Sequence, residues 1–125
     1  MKKITIPGAI PPRGHYTPAI ESNGFLFISG IVPIDPFTGE KYSTVTFGEQ
    51  TAVVLNNLET ILKASGSSLQ KLVKVTVFVN DISNWDMFNK LYSEKMGEHK
   101  PVRTVVPVGS LHYGFLIELD AIAEI

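Results

Sequence analysis

With 125 residues, the chain is long enough to bury one hydrophobic core, and we expect a single domain over residues 1–125. Its formal net charge of −1 gives no electrostatic footprint for nucleic acid or an anionic membrane, and the absence of cysteine excludes disulfides and zinc–thiolate sites. Because no apolar run approaches the roughly twenty residues that span a bilayer and no signal-peptide core follows Met1, a cytoplasmic protein is the default expectation.

Residues 11–30 are predicted to form a loop followed by a hairpin. Pro11-Pro12-Arg13-Gly14 predicts an extended loop, which is either a plain connector or a segment held over a site. Asn23-Gly24 predicts a tight turn before residues 25–28, which are apolar on both faces, so we expect a strand covered on two sides. A glycine within this strand, in Ser29-Gly30, suggests a bulge or a close backbone approach.

Two helices are predicted, with a strand at residues 73–79 between them. Thr46 and Glu49 form a capping box for the first helix, and Gly66 ends it. Its apolar face repeats at helical spacing: Val54, Leu55, Leu58, Ile61 and Leu62. The second helix is expected to begin at Ser83, with Asp86 in the matching capping position. Its buried stripe is predicted to contain Trp85, Phe88, Leu91 and Met96.

Two further strands, around residues 102–108 and 115–125, complete an α+β pattern. The last strand alternates, with apolar residues on one face and Glu118, Asp120 and Glu124 on the other. Strands interleaved with two helices predict a mixed sheet with both helices on one face. The uncovered face would keep apolar side chains such as Phe78, and this predicts self-association.

Arg103 is the most informative residue, because it lies in the largely apolar run from Pro101 to Val108. A guanidinium keeps its proton, and burying it without an anion is costly. One interpretation is a structural ion pair with Glu118 or Asp120, and the other is a clamp for a ligand carboxylate. The residue alone does not decide between them.

Other polar residues have similarly open roles. Tyr16 could cap a pocket at the end of the proline-rich loop, or simply pack beneath it. A carboxylate near Arg103 could orient a water, or it could only neutralise Arg103 and Lys74. The three histidines lack metal-ligand spacing, so we expect neither a metal nor a cofactor.

Several separated segments together resemble the RidA/YjgF family of reactive-intermediate deaminases, over about residues 14–123. The segments that carry the resemblance are Tyr16, Phe27-Ile28-Ser29-Gly30, residues 33–40, Gln50-Thr51, Asn56-Asn57-Leu58, Gly66, residues 74–78, Phe88-Asn89, Tyr92, Pro101-Val102-Arg103 and Ala121-Ile122-Ala123. Each segment is weak alone, whereas their order and spacing are specific to the family.

The resemblance implies a chorismate-mutase-like fold, a homotrimer and clefts between subunits. It places Arg103 as the carboxylate clamp, Asp120 as the water-orienting acid and Tyr16 as the loop tyrosine. Ser29, Gly30 and Asn89 would line the cleft. Our mechanistic hypothesis adds that backbone groups of Ser29-Gly30 or Val105 hold the water. The chain departs from the family in the loop around Tyr16, in Asp120, which stands where a glutamate is usual, and in Val105, which stands where a cysteine is common.

The implied activity is hydrolysis of 2-aminoacrylate, 2-iminopropanoate or 2-iminobutanoate to the 2-ketoacid and ammonia, with a small imino or keto acid as the only partner besides further subunits. The shortened acid and altered loop favour an alternative, a module that binds a 2-ketoacid without turnover. Endoribonuclease or translation-inhibitor activity has been attached to the family, and the acidic balance of this chain argues against it.

Overall fold

Six strands form one mixed sheet with two helices on one face in the computed structural model, which describes residues 1–125. The strands are β1 (Lys2–Ile4), β2 (Ala19–Ser22), β3 (Phe25–Ile31), β4 (Leu72–Val79), β5 (Val102–Pro107) and β6 (Ile117–Glu124). The helices are α1 (Phe47–Ala64) and α2 (Trp85–Met96). The predicted α+β architecture is therefore confirmed.

The sheet order β1-β2-β3-β6-β4-β5 places β6 in the middle and β5 at an edge. Strands β4 and β5 are parallel and joined through α2, whereas β6 is antiparallel to both β3 and β4. This register aligns Val75 with Arg103 on one side and Ala121 on the other. It also aligns Phe78 with Glu118, so Arg103 and Glu118 lie two strands apart and three residues apart along the strands.

The predicted hairpin and bulge are both present in the first half of the sheet. Asn23 and Gly24 have φ values of 53° and 80°, as the tight turn between β2 and β3 requires. The pairing of β3 with β6 shifts register between Ile28 and Ile31. Ser29 and Gly30 therefore lie in an irregular part of the strand, where the backbone is free to approach a neighbouring group.

The first helix follows its sequence signals, whereas the second begins later than predicted. The Thr46 side chain accepts a hydrogen bond from the Glu49 N–H at 3.2 Å, and the predicted apolar stripe of α1 is buried. The predicted start of the second helix at Ser83 is wrong. Asp81 instead accepts from the Ser83 N–H at 2.9 Å and caps a single 3₁₀ turn, and α2 begins at Trp85.

The hydrophobic core lies between the helices and one face of the sheet, and the opposite face is open. Buried residues on the core side of β4 and β6 alternate with outward-facing ones, as a two-residue period requires. On the open face, Phe25 and Phe27 are 36% and 46% exposed. The prediction that their strand is covered on both sides is therefore wrong for a single chain, because both helices pack on the other face. Neither helix is both long and apolar enough to cross a membrane.

Candidate active site

Arg103 lies on the helix-facing side of edge strand β5, beneath α2. Val105, two residues later on the same face, packs against the core, and Arg103 itself is half-buried. Its Nη1 donates to Oδ1 of Asn89 at 3.0 Å. The ring centroids of Tyr92, Phe88 and Trp85 lie 4.9, 5.5 and 5.6 Å from its Cζ atom. The guanidinium is thus surrounded by one amide and three aromatic rings.

No acidic side chain of this chain pairs with Arg103. The two ion pairs in the structure join Glu59 to Lys63 and to Lys95. Glu118 and Asp120 alternate with the buried residues of β6, so they project from the open face, opposite to Arg103. The interpretation of Arg103 as a structural ion pair within the chain is therefore wrong, and the guanidinium has no intramolecular anion.

A groove of about 500 Å³ adjoins Arg103. Its lining residues are Asn89, Tyr92, Ser93, Met96, Gly97, His99, Lys100, Pro101 and Arg103. Three of them are basic residues and none is acidic, so the groove suits an anion. His99 lies within hydrogen-bond distance of the Leu72 carbonyl, with 2.7 Å between Nε2 and the oxygen. Sequence reasoning assigns no special role to Ser93, His99 and Lys100, although the last two stand shortly before Arg103.

Glu118 forms the centre of a second polar cluster on the open face. A side chain at position 30 would collide with the Glu118 carboxylate, so only glycine lets this carboxylate lie against the β3 backbone. Burial raises the pKa of Glu118 and the neighbouring Asp120 carboxylate raises it further, while His112 acts in the opposite direction. A carboxyl group with a raised pKa is better suited to accept a proton near neutral pH.

Ser29 connects the tyrosine loop to this cluster. Its Oγ donates to the Thr17 carbonyl at 2.7 Å, and its N–H donates to the Pro18 carbonyl at 3.0 Å. Tyr16 is 56% exposed, and its ring lies against the backbone of Gly14. The loop that carries Tyr16 is thereby fixed beside Ser29 and Gly30, with the phenol free to contact a ligand or another subunit.

The predicted site residues therefore fall into two groups. Asn89 and Arg103 meet under α2, and Val105 follows them with its side chain in contact with the core. The second group consists of Ser29, Gly30 and Glu118 on the open face, with Tyr16 in the adjoining loop. Sequence reasoning places Glu118 below Asp120 as a candidate. Asp120 faces the same side as Glu118 and is aligned with Thr76. Its predicted role in orienting water stays a prediction.

The whole architecture matches a known family. A family model described as Endoribonuclease L-PSP matches residues 7–125. A RutC family protein of Pyrococcus horikoshii is 43% identical over 124 residues, which is 98% of each chain. The chain belongs to the RidA/YjgF family.

Solved structures of family members have the same fold as this chain. The crystal structure of RidA from the Antarctic bacterium Psychrobacter sp. superposes with a TM-score of 0.92, at 30% identity and over 100% of both chains. E. coli TdcF with bound serine superposes with a TM-score of 0.91, at 30% identity and over 100% of this chain and 99% of that one. The predicted family is thus confirmed, whereas the trimer and the cytoplasmic location of this family member stay predictions.

Proposed function

We propose that this protein hydrolyses small 2-enamine and 2-imino acids, such as 2-aminoacrylate and 2-iminobutanoate, to 2-ketoacids and ammonia. The observation that carries the proposal is the Arg103 guanidinium, which is half-buried, lacks an acidic partner and borders a groove with no acidic lining. Such a group is stabilised by an external anion. A carboxylate fits best, because its two oxygens match two parallel N–H groups of a guanidinium.

The size of the ligand is supported by a relative. E. coli TdcF, which shares the fold over the full length of this chain, has been crystallised with bound serine. Like a 2-imino acid, serine has a carboxylate attached to a carbon that bears a nitrogen. A small ligand of this class is therefore consistent with the groove beside Arg103. In our account, Arg103 holds the carboxylate and thereby places C2 of the substrate in a fixed position.

The second group of residues is contributed by a neighbouring copy of the chain. Within one chain, Arg103 and Glu118 project from opposite faces and lie about 10 Å apart across the sheet and about 10 Å apart along it. A three- or four-carbon acid cannot contact both. The exposed aromatic residues Phe25 and Phe27 on the open face favour an interface there. A homotrimer with three equivalent clefts satisfies both requirements.

The chemical step needs only a held substrate, a water and a base. We assign Glu118 as the base, because it is the carboxylate that Gly30 accommodates and the one whose pKa is raised. An enamine such as 2-aminoacrylate reacts as its imine tautomer, in which C3 has gained a proton and the nitrogen has lost one. Glu118 accepts a proton from the water as the water oxygen bonds to C2 and the C=N π electrons move to the nitrogen. Glu118 then passes this proton to the nitrogen, which gives the carbinolamine. Collapse of this intermediate forms the C2 carbonyl, breaks the C–N bond and releases ammonia. Proximity and a positioned base supply several powers of ten without a cofactor.

The test is a coupled assay in which an amino-acid oxidase or dehydratase generates the imino acid in the presence of a trapping agent. The proposal predicts that added protein accelerates ketoacid formation and reduces trapped imine in proportion to its concentration. As a matched control, Lys90→Ala removes a positive charge from an exposed position of α2 and should behave as wild type. A ketoacid formation rate equal to the spontaneous rate contradicts the proposal.

A second candidate is a binding module without turnover. The relative with bound serine supports this function as directly as it supports hydrolysis. In this case Arg103 would still hold a carboxylate, so calorimetry with 2-ketobutyrate alone does not separate the two functions. Binding combined with an unchanged rate of imine hydrolysis would establish the binding module. Acceleration of hydrolysis in the same preparation would eliminate it.

RNA cleavage is a further candidate activity, because the matching family model is described as an endoribonuclease. The net charge of −1 argues against the extended basic surface that an RNA backbone requires, whereas the groove beside Arg103 suits a single small anion. The Arg103→Ala variant separates the activities, because RNA cleavage that persists in it must come from another site or from a contaminant.

A further inference from the structure

The N-terminal two turns of α2 place four side chains around one cation. Trp85, Phe88, Asn89 and Tyr92 follow the i, i+3, i+4, i+7 spacing of a single helical face, and all four contact the Arg103 guanidinium. We call these four residues the cradle. Phe88 and Tyr92 are buried and lie with their rings 5.2 Å apart, whereas Trp85 is 39% exposed at the outer end.

We propose that the cradle is a positioning device, in which Trp85 and Asn89 hold the Arg103 guanidinium in one orientation before a carboxylate arrives. The proposal rests on the assignment of Arg103 as the carboxylate clamp in the proposed function. A free arginine side chain samples many rotamers and loses this freedom when it binds a ligand. A guanidinium that is already stacked and hydrogen-bonded loses less, so the cradle strengthens binding of the carboxylate.

The contacts leave the ligand-binding edge of the guanidinium available. Asn89 occupies one N–H of Nη1, and aromatic rings interact through their faces. The remaining N–H groups stay free to donate to a carboxylate in the guanidinium plane. The Tyr92 hydroxyl is buried without a hydrogen-bond partner, so the ring is the part of Tyr92 that contacts Arg103.

The identity of residue 89 is itself informative. An amide oxygen accepts from Arg103 without adding charge, so it fixes the guanidinium and leaves its positive charge for the ligand. An aspartate in the same place would form a charge-assisted pair with Arg103 and compete with the substrate carboxylate. A residue that binds a ligand carboxylate needs a fixed guanidinium whose positive charge is not neutralised. A purely structural arginine would be better stabilised by an acidic partner.

The experiment compares Trp85→Ala, Trp85→Phe and Asn89→Asp with wild type, with Met87→Ala as the control. Met87 is 50% exposed on the same turn and lies outside the cradle. Each protein is measured for the Kd of 2-ketobutyrate by calorimetry, for KM and kcat with 2-iminobutanoate, and for Tm. Trp85 is the only tryptophan of the chain, so its fluorescence in the wild type also reports ligand binding next to Arg103.

We expect Trp85→Ala to raise Kd and KM by about tenfold while kcat stays within about twofold, and Trp85→Phe to recover most of the loss. Asn89→Asp is expected to weaken binding further, and Met87→Ala to match wild type. A purely structural role would lower Tm and leave the Kd of the folded protein unchanged. That result, or a fall in kcat at constant KM in Trp85→Ala, overturns the proposal.

The outcomes separate this proposal from the proposed function. If wild type binds 2-ketobutyrate but hydrolyses no imino acid, the deaminase assignment fails and the Kd series still tests the cradle. If hydrolysis occurs but Trp85→Ala and Asn89→Asp bind as wild type, the cradle fails alone. If wild type does not bind 2-ketobutyrate at all, both the clamp and the cradle are contradicted.

Discussion

The backbone of Gly30 lies so close to the Glu118 carboxylate that even a methyl group at position 30 would overlap it. The contact joins the bulge of β3 to the open face of β6 and fixes where the carboxylate lies. Glycine is needed here for space, since Gly30 does not adopt the left-handed conformation. The bulge predicted at Ser29-Gly30 therefore leaves space for the Glu118 side chain.

Gly30→Ala should displace the Glu118 carboxylate without unfolding the protein. We expect kcat/KM for 2-iminobutanoate to fall by about tenfold to a hundredfold, because a base displaced by about 1 Å loses its position relative to the water. The matched control is Gly109→Ala, since a methyl group there meets no atom within 4 Å. Equal activity of the two variants would show that the position of Glu118 does not matter.

Asp120→Asn should shift the pH dependence of hydrolysis. The negative charge of Asp120 raises the pKa of Glu118, so its removal lowers that pKa and keeps the base ionised at lower pH. The acid limb of the kcat/KM profile should therefore move to lower pH, with activity retained on the plateau. Loss of the plateau itself would instead restore Asp120 as the water-orienting acid. Glu124→Gln, an exposed change on the same strand, is the control.

Glu118→Gln should stabilise the protein at neutral pH while removing its activity. Because the folded state raises the pKa of Glu118 above its ordinary value of 4.5, the ionised carboxylate opposes folding at pH 7. The contribution of the neutral Glu118 carboxyl group to the stability of the folded protein is fully present below the ordinary pKa. This contribution is lost as the pH rises through the raised pKa. We expect a Tm gain of about 1–3 °C at pH 7, limited by solvent screening of the half-buried group, that vanishes near pH 4. A Tm gain that persists unchanged at pH 4 would contradict this account.

Much of the fold could be predicted from the sequence because local signals and the core pattern agree. The turn at Asn23-Gly24 and the apolar stripe of α1 depend on neighbouring residues, and both are confirmed. The predicted start of α2 at Ser83 is two residues too early, because Asp81 caps the preceding 3₁₀ turn and α2 begins only at Trp85. Helical spacing predicts that Trp85 is buried in the core, and this is wrong, because in the structure Trp85 is exposed beside Arg103.

The site was harder to predict, because its geometry depends on how the strands are ordered. Arg103 and Asp120 are both charged residues in neighbouring segments of the sequence, and nothing in that spacing reveals that they project from opposite faces. The sheet order and register establish this. Glu118 likewise gains its importance from Gly30, which is distant in sequence and becomes its neighbour only when β3 pairs with β6.

The proposal that the cleft is shared between subunits predicts how mixed oligomers behave. If one copy supplies Arg103 and its neighbour supplies Glu118, coexpressed Arg103→Ala and Glu118→Gln chains will form some clefts with both native residues. For random assembly into rings, about a quarter of the clefts should be complete, and hydrolysis should recover to about that fraction. Mass spectrometry of the intact oligomers verifies mixing. Mixed oligomers with no recovered activity would contradict a cleft shared between subunits.

Binding of the substrate carboxylate by Arg103 is tested by comparing the hydrolysis of 2-iminobutanoate by Arg103→Ala and Arg103→Lys with hydrolysis by wild type. A lysine keeps the charge but cannot form the bidentate contact or stack in the cradle. We predict that kcat/KM falls at least about a hundredfold in Arg103→Ala and nearly as far in Arg103→Lys, corresponding to a lost charge-assisted contact of about 3 kcal/mol. Folded Arg103→Ala that hydrolyses 2-iminobutanoate at the wild-type rate would contradict the account.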